Sequence, residues 1–172
     1  MKRGFTLIEL MVVISISMLL ITGVSVAVTR FSSGENLNAA MTELVTMFDL
    51  ARSTAVSNQT TTGFVDLDYV AVTLTTDGWV SIMPVNNSTG VGNSFSSKYV
   101  GGSGIIFTSL NFGDLLFAAG NGKLLGKDPL PSYSSYPLSS AAAVGVTITS
   151  ANVGNTRQVI INSFGAVTES IL

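Results

Sequence analysis

From Leu10 to Val28 the chain carries no charged residue. A helix of about 20 apolar residues crosses the roughly 30 Å hydrocarbon core of a bilayer. A stretch this long and apolar must be removed, buried in lipid, or packed among other helices. The basic stub Met1-Lys2-Arg3-Gly4 runs directly into it, and one acid, Glu9, stands close to its start. A carboxylate inside a membrane segment is costly and marks a candidate functional site. Gly4, at the junction, is the second candidate.

The remainder of the 172 residues fits one small domain. Charged residues make up 10% of the chain, against about 25% in ordinary soluble proteins. Ser, Thr, Asn and Gly fill the gap, a surface suited to an extracytoplasmic or assembled protein. Eight basic residues face ten acidic ones, so a nucleic-acid partner gains little from counterion release. With no Cys there is neither a disulfide framework nor a thiolate metal site. With no His the commonest general base is missing as well. No nucleophile–base pair can be assembled, the acids show no paired spacing, and no catalytic residue or cofactor is expected.

Three readings of the N-terminus compete. An ordinary signal peptide would be cut near Ser25-Val26-Ala27, releasing a secreted binding protein. That apolar run is long for a signal, and an acid at its start weakens one. A plain membrane anchor explains the length but neither Glu9 nor Gly4-Phe5. The third reading accounts for every residue. Gly4-Phe5-Thr6-Leu7-Ile8-Glu9-Leu10 resembles the class III signal of type IV pilins and type II secretion pseudopilins. The resemblance implies cleavage between Gly4 and Phe5 by prepilin peptidase, and N-methylation of the new terminus at Phe5. It also implies anchoring in the bacterial inner membrane, with the C-terminal domain periplasmic. The expected partners are then prepilin peptidase, other pilins or pseudopilins in a filament, and the inner-membrane assembly platform. Glu9 lies about one helical turn from Phe5. In a filament core it can meet the cationic terminus of a neighbouring subunit, a pairing that sets register more than stability.

The segments expected are a leader at 1–4, a membrane or filament-core helix at 5–30, an amphipathic helix at 31–58 and a β-rich domain at 59–172. Ser32-Ser33-Gly34-Glu35 could loosen or restart the helix. No proline interrupts Phe5–Ser57, so one helix of about 50 residues is equally open. Leu37, Ala40, Met41, Leu44, Val45, Phe48, Ala51 and Ala55 form its apolar stripe. Strands are expected at 63–67, 70–74, 79–83, 105–108, 115–118, 144–149, 158–162 and 166–170. Loops are expected at Asn86–Gly104 and Asp128–Ser140. A long helix followed only by strands predicts an α+β fold, the helix laid on an antiparallel sheet.

The soluble half is similar to the GspH/FimT branch of minor pseudopilins and minor pilins. The similarity rests on Leu50-Ala51-Arg52-Ser53-Thr54-Ala55, on Phe117-Ala118-Ala119-Gly120-Asn121-Gly122, and on Arg157–Asn162 with Gly165. Thr54 stands where that branch usually has an acid. Some members bind DNA through basic residues after the hairpin glycine. Here Ala166-Val167-Thr168-Glu169-Ser170 follows Gly165, without an arginine and with an acid. Only Arg157, Lys123 and Lys127 remain nearby, so the charge pattern argues against DNA. Asp66 and Asp68 would share a strand face and could form half a Ca²⁺ site. Asn58-Gln59-Thr60 and Asn87-Ser88-Thr89 match glycosylation sequons, which chance supplies in so Ser/Thr-rich a chain.

Overall fold

The computed structural model describes residues 6–58, 66–75, 77–86, 88, 90–101, 105–108, 114–127, 135–137, 144–151 and 154–171. One helix, α1 (Leu7–Ser57), runs 51 residues, about 75 Å at 1.5 Å per residue. It passes Ser32-Ser33-Gly34-Glu35 unbroken, so the restart is not realised. Hydroxyls on this helix donate back to carbonyls one turn earlier: Ser15 to Met11, Thr22 to Met18, Ser25 to Ile21 and Ser33 to Thr29. The first three therefore reach the exposed apolar surface already hydrogen-bonded, which a hydrocarbon environment demands. The helix ends at Asn58, left-handed at φ 50°, whose N–H bonds Ala55 O.

Eleven strands in the described residues form two antiparallel sheets. The first contains β1 (Tyr69–Leu74), β2 (Trp79–Asn86), β3 (Gly90–Val91), β4 (Ser96–Tyr99), β6 (Asp114–Ala118), β7 (Leu124–Lys127) and β8 (Ser135–Pro137). Its order is β3-β2-β1-β6-β7-β8, with β4 sharing the outer edge of β2. The second contains β5 (Ile105–Thr108), β9 (Val144–Ser150), β10 (Thr156–Ile161) and β11 (Val167–Ile171), in the order β11-β10-β9-β5.

Alternation decides which faces meet. Val70, Val72 and Leu74 of β1, Val80 and Ile82 of β2, and Leu115 and Phe117 of β6 point one way into the core. Val144, Val146, Ile148, Val159 and Ile161 enter it from the second sheet. Between them lies the second half of α1, burying Leu37, Ala40, Met41, Leu44, Met47, Phe48, Ala51 and Ala55. That is the expected stripe with Met47 added and Val45 only half-buried. The α+β architecture, with a helix packed on antiparallel sheet, is the one expected.

Three local expectations need correction. Asn86–Gly104 is not only loop, because β3 and β4 zip onto β2 within it. Residues 66–67 are not strand, because Asp66 adopts φ 66° and its carbonyl accepts from the Asn86 side-chain amide. Asp66 and Asp68 therefore share no strand face. Asp68 instead ties the strand entry down, donating to Val85 O and accepting from Ala119 N. Finally, β8 lies inside the expected 128–140 loop. The rest of that loop, the 63–65 part of the first expected strand, and Asn87 and Thr89 of the second sequon lie outside the described residues.

Candidate functional site

Glu9 sits in the first turn of α1, and the helix start is built around it. Thr6 is the N-cap, extended at φ −82° and ψ 150°. Its Oγ1 accepts from Glu9 N at 3.4 Å, while Glu9 Oε2 accepts from Thr6 N at 3.0 Å and from Thr6 Oγ1 at 2.9 Å. This is a reciprocal capping box. Two orphan donors of the helix start are satisfied, and the carboxylate is hydrogen-bonded within its own chain. Glu9 also stands at the positive end of the helix dipole, where an anion is favoured. The Thr6-x-x-Glu9 spacing was the sequence signal for this contact. Gly4 and Phe5 lie outside the described residues.

From Glu9 to Phe31 no side chain of the helix is buried against the described residues. Large apolar side chains from Leu7 to Val28, and Phe31 after them, are exposed around the whole helix. This segment is long and apolar enough to cross a membrane. A helix exposed on every side in its first half and on one side in its second leaves that first half without an apolar partner among the described residues.

At the other end of α1 the fold gathers the three motif fragments that are far apart in sequence. Gly120 N donates to Ala55 O at 2.8 Å, docking the β6–β7 turn on the helix terminus. Leu124 N donates to Ser163 O at 3.1 Å, which stacks the β10–β11 turn on that turn. Arg52 threads between them. A Cβ on Gly165 would lie 3.1 Å from Arg52 Nε, and one on Gly122 would lie 3.2 Å from Arg52 Cγ. Both glycines have positive φ, 63° at Gly122 and 76° at Gly165. Arg52 Nε is buried there, without a hydrogen-bond partner among the described residues. Of the cations weighed for phosphate binding, Lys123 is exposed on this turn and Arg157 is half-buried on β10. Among the described residues no group of three or more acids converges as a metal site.

Among the described residues, one apolar helix with an acid in its first turn leads into a two-sheet β domain, an α+β architecture. Residues 1–25 match the family model described as the prokaryotic N-terminal methylation motif. The chain therefore carries a prepilin-type N-terminus of the type IV pilin kind. This N-terminus and the exposed apolar helix together fit an inner-membrane-anchored, pilin-like protein. No curated protein and no solved structure matches the chain.

Proposed function

We propose that this protein is a minor pilin or pseudopilin of the GspH/FimT type, a structural subunit and not a catalyst. One observation carries the proposal: the methylation-motif match over residues 1–25 runs into a helix whose first half has no packing partner among the described residues. Prepilin peptidase cuts between Gly4 and Phe5, and Phe5 is N-methylated. The subunit waits in the inner membrane with its β domain in the periplasm, then enters a filament through the assembly platform. Glu9 sets its register by receiving the Phe5 amine of a neighbour. The Thr6 hydrogen bonds hold that carboxylate until the neighbour arrives.

Intact-mass analysis of the protein from its membrane tests this. The expected mass corresponds to a chain starting at Phe5 with one added methyl group. A terminus near Ala27, with no membrane-bound form, would show an ordinary secreted protein instead. Co-purification with other pseudopilins would assign the subunit to type II secretion. Loss of piliation, twitching or DNA uptake on deletion would assign it to a type IV pilus.

A further inference from the structure

The antiparallel strands fix which end of the β domain faces the tail. The β6–β7 and β10–β11 turns cap the C-terminus of α1, so the β1–β2 turn lies at the opposite end of the same sheet. There β4 comes down beside the helix. Tyr99 and Gly101 line an open groove of about 340 Å³ whose other wall is Asn36, Ala39 and Glu43 of α1. Val100 N and Gly101 N both donate to Gly78 O, at 2.8 and 3.2 Å, clamping the end of β4 onto the β1–β2 turn.

On this lip two aromatic rings stand together in the open. Trp79 and Tyr99 are cross-strand partners, their centroids 5.5 Å apart and their planes at 54°. Trp79 is 47% exposed and Tyr99 52%. The Tyr99 ring lies over Gly101, where a Cβ would come within 3.0 Å of it, so its position is set by the backbone beneath. The lip is also close to the end of the apolar tail. Phe31 is the last large exposed apolar side chain of the tail, directly after the exposed Arg30. The helix wall of the groove begins at Asn36, about 8 Å of helix beyond Phe31, and ends at Glu43, about 18 Å beyond it. The headgroup layer adds roughly 5–8 Å to each side of the hydrocarbon core.

We propose that the Trp79–Tyr99 pair is an interfacial anchor that seats the β domain on the phospholipid headgroup layer while the subunit is still in the membrane. Tryptophan and tyrosine favour this layer because each has an apolar ring and a polar edge. Arg30, about 9 Å of helix before Asn36, supplies a cation for lipid phosphate nearer the tail. The contact continues the helix's own passage through the bilayer, and so rests on the membrane-anchored reading above. It restricts the tilt of the domain before assembly. Entry into a filament then requires the pair to leave the lipid, so the anchor holds the unassembled subunit at the membrane.

Trp79 is the chain's only tryptophan and therefore its own probe. The full chain is reconstituted into phosphatidylethanolamine–phosphatidylglycerol vesicles carrying quenchers either near the headgroups or at the bilayer centre. The expected result is blue-shifted emission relative to detergent, with strong quenching by the shallow label and little by the deep one. Tyr99→Asp should keep the circular dichroism spectrum and flotation with vesicles but lose most of the shallow quenching. A chain that does not float with the vesicles overturns the anchored reading itself. A chain that floats with Trp79 unquenched overturns the lip alone. So does a Tyr99→Asp chain quenched like the parent. A blue shift that grows with protein-to-lipid ratio makes a second copy the occupant and also overturns it.

Discussion

The two halves of α1 are one helix with two different partners. Residues 33–55 bury a stripe against both sheets, and the polar residues between fall on the opposite face. Residues 7–31 have the same backbone and no buried side chain. The second half is held by its own domain, so sequence pattern and structure explain each other there. The first half finds nothing to pack on among the described residues. Its composition, apolar all round with hydroxyls turned back onto carbonyls, is what a lipid or a bundle of like helices requires. A change in the tail should therefore alter assembly and leave folding intact, and a change in the stripe should do the reverse.

Glu9→Ala is the sharpest test of this division. It removes the one acid of the apolar segment and half of the capping box. It should be all-or-none for incorporation into filaments, measured by shearing and immunoblotting, while membrane insertion and the thermal melt of the β domain stay unchanged. Normal incorporation of this variant would remove the register role proposed for Glu9. In the stripe, Phe48 is wholly buried between the sheets. Phe48→Ala should destabilise the domain by about 3–5 kcal/mol, read by chemical denaturation. Leu19→Ala, in the exposed half, should shift the same transition by less than about 0.5 kcal/mol. Equal effects would mean that the halves are not independent.

What was legible in the sequence follows the same line. The helix, its stripe and the central strands β1, β2, β9 and β10 announce themselves by period, because each has a face to bury. The four strands the sequence left unseen, β3, β4, β7 and β8, are edge additions to the expected strands or are very short. Ser96-Ser97-Lys98-Tyr99 has no apolar alternation, and only its backbone pairing with β2 makes it a strand. Asp66 misleads in the other direction, since its left-handed φ is set by tertiary contact rather than by its neighbours. At the tail, Glu9 is conspicuous as a charge in an apolar run, while its hydrogen-bond partner is signalled only by the Thr6-x-x-Glu9 capping spacing. Arg52, Gly122 and Gly165 were each picked out as parts of separate motifs. Nothing local in the sequence says that they touch, because the contact spans more than a hundred residues.

That contact can be broken without touching the stripe. Gly165→Ala puts a Cβ against Arg52 and the Gly122 carbonyl at a φ of 76°. It should cost about 1–3 kcal/mol, since the strained backbone has nowhere to relax. Hydrogen exchange should rise first in the β6–β7 and β10–β11 turns, while the lip at Gly78 and Gly101 keeps its protection.

The smallest effect is expected at the lip's ion pair. Lys98 Nζ lies 2.5 Å from Glu43 Oε1, but the two side chains are 53% and 32% exposed. Water screens such a pair and its ordering costs side-chain entropy, leaving about 0–1 kcal/mol. Glu43→Gln should therefore barely move the denaturation midpoint, and 0.5 M salt should erase whatever difference remains. A loss comparable to that of Gly165→Ala would mean that β4 is held to the helix by charge. The clamp from Val100 and Gly101 onto Gly78 makes that unnecessary, because two backbone hydrogen bonds persist at any salt concentration.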